Sequence, residues 1–356
     1  MKAWVLHGVN EIRFEEMDNP VPRGDEVLVK VKAAGICGSD IPRIYETGAH
    51  RMPLILGHEF SGEVMDIGKD ASEKWNGKRV GVFPLIPCKK CPMCRQKKYE
   101  MCRDYDYLGS RRDGAFAEYI AVPEWNLLEL PENVSFEQAA MLEPMAVAVH
   151  AVRNGTDNFS MPKDTTIAVC GLGTIGSFVI MFLREAGYRN ILAVGNHDHQ
   201  RDRIKPFGVD EEYFCNAETA DAEGWLNKKT DNLKVYFECV GKNETVSLGI
   251  KAVGASGKII TVGNPFSDMS FDRDVYWKIL RNELTVMGTW NSSFRHEEED
   301  DWHYVMERLA AKRIRPEAVI SHRLGLEDLE NGLRMMRDKS DGYGKVMVCR
   351  SCPYPI

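Results

Sequence analysis

The sequence predicts an α/β protein of two domains, the first β-rich and the second a doubly wound parallel sheet with helices on both faces. Three observations predict it. Up to about residue 145, clusters of β-branched residues alternate with Gly and Pro turns. From about Asp164 the pattern becomes apolar strand, glycine turn and amphipathic helix, repeated. The chain has 356 residues, too many for one small core and enough for about two.

In chain order, VLVKVKAAGI (27–36), FSGEVMDIG (60–68) and RVGVFPL (79–85) read as strands of the first domain. In the second, strands are expected at TTIAVC (165–170), NILAV (190–194), KVYFECV (234–240), KIITVG (258–263) and LTVMG (284–288). After Thr289 the chain is charged and reads as helical through HEEEDDWHYVMERLAAK (296–312). It then passes SHRLGLEDLENGLRMMRD to a last strand, KVMVC (345–349). The expected boundaries are 1–147 for the β-rich domain, completed by 289–356, and 148–288 for the parallel-sheet domain. There is no internal repeat and no low-complexity segment. The tail RSCPYPI, with Cys349 and Cys352, resembles a metal half-site but has no second ligand pair nearby, so it reads as a frayed terminus.

Hydrophobic residues at 44 % and charged residues at 28 % are ordinary globular values, and no stretch is long enough to span a bilayer. A formal charge of −7 disfavours a nucleic-acid or anionic-membrane partner and leaves a small molecule as the expected ligand. The basic pairs Lys89–Lys90, Lys97–Lys98 and Arg111–Arg112 read as solvated faces in and just after a cysteine-rich loop.

That loop carries Cys88, Cys91, Cys94 and Cys102 in the spacing C-x2-C-x2-C-x7-C, which brings four thiolates around one centre as a closed, structural zinc site requires. A disulfide framework is the first rival. Ten cysteines in 356 residues, behind an opening MKAWVLHGVN without the apolar core of a secretion signal, argue instead for a reducing cytoplasm. An iron–sulfur cluster is the second. Its run closes after three residues with Cys-Pro, whereas seven intervene here.

Cys170-Gly171-Leu172-Gly173-Thr174-Ile175-Gly176 places G-x-G-x-x-G directly after an apolar strand and before the amphipathic SFVIMFLREAG. In that context it reads as a dinucleotide fingerprint. Gly171 allows the tight turn, Gly173 the approach of a pyrophosphate, and Gly176 close helix–strand packing. The phosphates would lie against the helix N-terminus at Thr174 and Ile175. About twenty residues on, where a carboxylate is expected to grip the adenosine ribose, the chain has Gly195-Asn196-His197. Asn196, His197 and Arg201 suit a 2′-phosphate, so NADP(H) is favoured over NAD(H). Asp198 in a shifted register keeps NAD(H) open.

A second set of ligand types is scattered: Cys37 in GICGSD, His58 and Glu59 in GHE, and Glu143 in LEP, each beside Gly or Pro. Thiolate, imidazole and carboxylate would satisfy a catalytic zinc, which needs three protein ligands and one exchangeable position. With the cysteine loop, GHE and the late dinucleotide motif in this order, the chain resembles the zinc-containing medium-chain alcohol/polyol dehydrogenases over almost its whole length. The likeness is carried by CGSDIPRIYETGAH (37–50), PLILGHEFSG (53–62), YDYLGSRRDGAFAEYI (105–120) and KILRNELTVMGTW (278–290).

The resemblance implies a GroES-like catalytic domain, a Rossmann cofactor domain, a homodimer or homotetramer, and two zinc ions per chain. The catalytic one would be held by Cys37, His58 and Glu143, with Glu59 able to approach it. The implied chemistry is hydride transfer between a carbinol carbon and nicotinamide, with zinc as Lewis acid and Ser39 passing the proton. Many members place a relay histidine three residues after that hydroxyl; here the position is Pro42. A phosphorylated polyol would need cations, and Arg43, His50, Arg111 and Arg112 are the candidates, the last two equally able to hold their loop. Tyr45 and Trp290 read as pocket wall or packing, with core packing the expectation for Trp290. The competing readings are a dehydrogenase of free hexitols or threonine-type amino alcohols and, from another class, a non-catalytic zinc and dinucleotide-binding redox sensor.

Overall fold

The computed structural model describes residues 1–349; Cys352 and the rest of the tail lie outside the described residues. The chain divides into two compact units, one of Met1–Glu143 with the segment from Ser293 on, the other Pro144–Ser292.

The first unit is built on a seven-stranded sheet. Its path runs Leu127–Glu129, Arg79–Val82, Glu59–Ile67, Glu26–Ile36, Lys345–Cys349 and Ile320–Leu324, and Tyr119–Pro123 also pairs with Glu26–Ile36. Only the last pair on that path is parallel. In Glu26–Ile36 the side chains of Val27, Val29 and Val31 point to the core while the intervening residues are half-buried, and from Ala33 to Ile36 every residue is buried. That is strand alternation giving way to burial on both faces. A second sheet orders Glu11–Glu16, Lys2–Gly8 and Leu54–Ile55. Its Trp4 donates from the indole to the carbonyl of Leu326, 2.6 Å away, so a large core residue keeps its polar end satisfied.

The central register sets the site. Gly35 stands opposite Glu59 and Ile36 opposite Val346, so the ends of three strands far apart in sequence converge.

The second unit is a six-stranded parallel sheet in the order Phe214–Asn216, Ile191–Gly195, Ile167–Cys170, Val235–Glu238, Lys258–Thr261, Thr285–Gly288. Numbered along the unit this is 3-2-1-4-5-6, the doubly wound order in which the connection reverses direction beyond the carboxyl ends of the first and fourth strands. Five of the six strands coincide with the apolar runs expected. Phe214–Asn216 was not expected; it is three residues long and follows two glutamates, too short for a period to register.

Two further expectations are corrected. The helix anticipated from His296 begins at Asp301 and runs to Ala310, because Asp300 caps it: its carboxylate accepts from the amides of His303 and Arg295 and so ends the preceding turn. Trp290 does not pack in a core. It is 54 % exposed, since the residues after the edge strand Thr285–Gly288 lie on the sheet margin. Tyr45 packs, with the Arg337 guanidinium 4.6 Å over its ring.

Candidate metal centres and cofactor loop

Cys37 follows the strand Glu26–Ile36 in the turn that opens the short helix Asp40–Tyr45. His58 and Glu59 stand at the start of the strand Glu59–Ile67. Gly57 before them has φ +94, and a Cβ there would lie 2.6 Å from the Phe116 ring, so the turn that aims His58 requires glycine. A Cβ on Gly35 would lie 2.3 Å from the Glu59 carboxylate; the missing side chain is the space Glu59 occupies. The result is a cluster in which ligand atoms of Cys37, His58 and Glu59 all lie within 4.8 Å of one another.

Glu143, in the first turn of the helix Leu142–Gly155, is buried beside this cluster rather than within it. One of its oxygens accepts from the Tyr107 hydroxyl at 3.3 Å, and the Tyr107 ring meets the His58 ring edge-on at 5.8 Å.

Three residues that sequence reasoning missed complete the pocket. Asp40, fully buried, accepts the Cys37 amide at 3.0 Å and faces His58 Nδ1 at 3.6 Å. A carboxylate on that side favours a proton at Nδ1 and leaves Nε2 as the ligating nitrogen. Nδ1 has no hydrogen-bond partner among the described residues. Lys345, at the start of the strand Lys345–Cys349, forms a buried ion pair with Glu59 and donates to the carbonyl of Ile36 at 3.1 Å. Burial works against its charge, but Glu59 and then Cys37 outweigh it and hold the ammonium above its ordinary value. Tyr107 is the third.

The charge balance fits a divalent cation. Burial, and then Glu59 and Asp40, push the Cys37 thiol up to about 12. Burial likewise pushes the Glu143 carboxyl up to about 7, Glu59 adding to the effect while His58 and Lys345 oppose it. Each acid resists deprotonation first because it is buried and then because the other acids crowd it, and a metal ion reverses that logic.

Ser39 donates its hydroxyl to Cys37 Sγ at 3.2 Å and accepts from Arg43 Nη1 at 2.9 Å. Burial and then the charges of Arg111 and Arg43 lower the His50 imidazole, so both guanidinium groups stand within electrostatic reach of a ring held toward its neutral form. Arg111 stacks its guanidinium 4.6 Å over Tyr105. Arg112 is not brought to them: its guanidinium pairs with Glu26 and reaches Asp106 at 3.8 Å, so it holds its own loop.

The four sulfurs of Cys88, Cys91, Cys94 and Cys102 all lie within 4.8 Å, with Cys88–Cys94 at 4.0 Å and Cys91–Cys102 at 3.9 Å. A tetrahedron of Zn–S bonds of about 2.3 Å requires sulfurs about 3.8 Å apart. Backbone amides, Cys94 first and then Arg103, bring the Cys91 thiol down to about 6, and the Lys90 amide first lowers Cys88, whereas burial first raises Cys94 and Cys102; a bound cation is what would make all four thiolates together. The lobe is tied to the segment after Ser293 by the Lys97–Glu297 ion pair.

In the second unit the glycine loop fits a pyrophosphate. Gly171 has φ +90, and a Cβ on Gly176 would lie 1.9 Å from the Gly171 carbonyl oxygen. A Cβ on Gly173, the N-cap of the helix Thr174–Glu185, would meet nothing within 4 Å, so the backbone there is open to a ligand. Thr174 and Ile175 open that helix.

At the end of the strand Ile191–Gly195 the amides of Asn196 and His197 both donate to Gln200 Oε1, at 2.8 and 3.3 Å. A Cβ on Gly195 would strike the same oxygen, at 2.4 Å, so glycine there makes room for Gln200. His197 stacks on His199 at 5.4 Å. Arg201 is engaged by Glu211 at 2.9 Å and Asp202 at 3.5 Å, and Asp198 is turned to Asn216 at 2.9 Å. Gln200 and His199 were not anticipated; polar residues in a short post-strand turn give no periodic signal.

A model of the alcohol dehydrogenase GroES-like domain matches residues 23–132, and one of zinc-binding dehydrogenases matches residues 174–311. The chain is 32 % identical over 337 residues to galactitol 1-phosphate 5-dehydrogenase of Escherichia coli K12, covering 94 % of this chain and 96 % of the relative. The crystal structure of galactitol-1-phosphate dehydrogenase from Escherichia coli matches with a TM-score of 0.89 at 32 % identity, covering 98 % of this chain and 100 % of that one. An NADP-bound structure from Sinorhizobium meliloti 1021, described as a zinc-binding dehydrogenase, matches with a TM-score of 0.87 at 27 % identity over 98 % of each chain.

Proposed function

The chain belongs to the zinc-containing medium-chain alcohol/polyol dehydrogenase family, and we propose that within it the enzyme oxidises a secondary hydroxyl of a polyol phosphate of the galactitol 1-phosphate type. The reaction in the forward sense converts the carbinol to a ketone, of the tagatose 6-phosphate type. The hydride passes to NAD(P) and one proton leaves.

The observation that carries the substrate class is the pair of guanidinium groups of Arg43 and Arg111 beside the His50 imidazole, which burial and those two charges hold toward its neutral, hydrogen-bonding form; they are supplied by the turn and helix that follow Cys37 and by the loop after Tyr107. A phosphate dianion suits such a group, and Arg offers it paired donors. The relative that acts on galactitol 1-phosphate supports the same class.

Cys37, His58 and Glu143 would hold the catalytic zinc, and Cys88, Cys91, Cys94 and Cys102 the structural one, two ions per chain. Bound at the first site, zinc supplies the Lewis acidity that lowers the pKa of a secondary hydroxyl. Glu59 is kept in place by Lys345 and stands ready to approach the metal when a ligand exchanges. Asp40 holds the Cys37 turn through its amide and faces the His58 ring with its charge. Ser39 accepts and passes the departing proton; its oxygen is held by Arg43, and Pro42 leaves no histidine to continue the relay. Gly171, Gly173, Thr174, Ile175 and Gly176 would cradle the pyrophosphate. Asn196, His197 and Arg201 would meet a 2′-phosphate, Arg201 by exchanging its Glu211 partner, which favours NADP(H) over NAD(H).

We place the enzyme in the cytoplasm, where the thiolate lobe stays reduced. We further propose that it is a homodimer or homotetramer. On the second unit, Tyr276, Trp277 and Leu280 of the helix Arg273–Arg281 are exposed, as are Val286 of the edge strand and Trp290. An apolar face beside an open sheet edge suits a second copy of the chain.

The test is a panel of hexitols, their 1-phosphates and threonine with NAD and NADP, followed by the absorbance of reduced nicotinamide. A 1-phosphate preferred over its parent hexitol by about 100-fold in kcat/KM, and lost on Arg43→Met, supports the reading. Equal rates on the free hexitol overturn the phosphate assignment. No turnover with any of them, at full zinc loading, favours the redox sensor.

A further inference from the structure

Glu238, the last residue of the strand Val235–Glu238, is an acid that the reaction above does not use, yet it is 1 % exposed beside the glycine loop. One of its oxygens, Oε1, accepts three hydrogen bonds, each 2.8 Å: from the amides of Val240 and Gly241 and from the Thr245 hydroxyl. The other, Oε2, has no hydrogen-bond partner among the described residues. A buried carboxylate that spends one oxygen on three donors of a single turn shapes that turn. Charge-assisted bonds to backbone N–H groups are the strong kind, and unmet they leave buried donors behind.

The Cys239 amide donates to the Cys170 carbonyl at 2.8 Å, joining the turn to the residue before Gly171. A Cβ on Gly171 would lie 2.5 Å from Val240 and 3.0 Å from the Cys239 backbone, so the two loops are in direct contact. On the other side a Cβ on Gly263 would lie 2.2 Å from the Gly241 amide nitrogen and 2.5 Å from the Val240 carbonyl carbon. The amides of Val262 and Gly263 donate to the Glu238 carbonyl, at 2.8 and 3.0 Å. The loops after three adjacent strands are thus in close contact, the Val240 side chain and the Cys239 backbone against Gly171 and backbone against backbone at Gly263, and the Glu238 carboxylate is the polar pin of the middle one. These loops lie at the carboxyl ends of the strands where the sheet order reverses, the place where an open parallel sheet binds its ligand.

We infer that Glu238 is a positioning residue for the nicotinamide dinucleotide: by holding Val240–Gly241 against Gly171 it sets the wall of the cofactor cradle. The inference rests on the cofactor reading above and adds a residue to it. Glu238 touches no reacting atom; it acts through the turn. The uneven use of its two oxygens makes the role separable from charge. Glu238→Gln keeps an acceptor for all three donors and places the amide NH2 at the oxygen that has no partner, whereas Glu238→Ala leaves the Val240 and Gly241 amides unmet and turns the Thr245 hydroxyl to the Lys242 carbonyl, 2.9 Å away.

The experiment measures NADPH and NADH binding to the zinc-loaded enzyme by nucleotide fluorescence, together with steady-state kinetics and thermal unfolding. For Glu238→Ala the dissociation constant and the KM for the dinucleotide rise about 10-fold or more, with the KM for the polyol unchanged. For Glu238→Gln they stay within about 3-fold of the parent. Thr245→Val, which removes one donor of the three, serves if the alanine variant does not fold, and raises the dissociation constant about 3-fold. Parent-like dinucleotide binding by both Glu238→Ala and Thr245→Val, or by Thr245→Val alone where the alanine variant cannot be folded, overturns the inference while leaving the cofactor reading intact. A parent enzyme that binds no nicotinamide dinucleotide overturns both.

Discussion

Replacing Lys345 by Met tests the electrostatics of the candidate metal site. Lys345 and Glu59 are each 2 % exposed, and their ion pair joins strands 286 residues apart. Removing the ammonium while keeping the side-chain volume leaves the Glu59 carboxylate buried without its cation and the Ile36 carbonyl without its donor. Breaking one side of such a pair costs about 3–5 kcal/mol. Replacing both sides by neutral groups costs much less, so Glu59→Gln with Lys345→Met recovers most of the loss. Zinc bears on the same charge: an ion beside Glu59 supplies part of the missing positive field. The destabilisation of Lys345→Met is therefore larger in chelator than at saturating zinc. Urea unfolding followed by circular dichroism, with and without zinc, reads all three quantities. A single-variant loss below about 1 kcal/mol, or a double variant no more stable than Lys345→Met, would refute the reasoning.

Other outcomes follow from the same geometry. Cys91→Ser lowers bound zinc from two ions per chain to one, measured by atomic emission, and lowers thermal stability, because a three-thiolate lobe no longer closes a tetrahedron. Gly173→Val leaves the fold intact, since a Cβ there meets nothing within 4 Å, but weakens dinucleotide binding about 10-fold or more by filling the cradle; parent-like binding would remove Gly173 from the site. Burial holds the His296 imidazole below its ordinary value of 6.5, with His303 and Lys74 adding to the effect and the Trp125 carbonyl and Asp300 opposing it. The unfolded chain then takes up a proton that the folded chain resists. His296 therefore costs no stability above pH 6.5 and an increasing amount as the pH falls below it. His296→Gln flattens that part of the stability profile, and an imidazole that titrates by NMR at or above 6.5 contradicts it.

Residues whose chemistry is local were legible in the sequence. The four cysteines declare their site by spacing, and the glycine loop by lying between an apolar strand and a helix. The proposed ligands of the catalytic metal, Cys37, His58 and Glu143, were visible as types but needed a family likeness to be grouped, because they lie far apart in the sequence. Asp40 and Lys345 were not legible. An aspartate three residues after a cysteine reads as a helix-start residue, and a lysine opening a strand reads as surface. Only the register of Gly35 opposite Glu59 and Ile36 opposite Val346 makes that lysine a buried counter-ion. Arg112 was indistinguishable from Arg111 in sequence; the partner Glu26, from a strand some eighty residues earlier, separates them. Trp290 misled because large aromatics are usually packed, whereas here the chain runs along an open sheet edge.

An anomalous difference map recorded at the zinc edge from crystals of the zinc-loaded enzyme tests most directly whether a metal ion occupies the Cys37 pocket of the first unit. Two peaks per chain are predicted, one enclosed by Cys88, Cys91, Cys94 and Cys102, the other bounded by Cys37, His58 and Glu143. A single peak in the cysteine lobe, with the Cys37 pocket dark at full zinc loading, would contradict it.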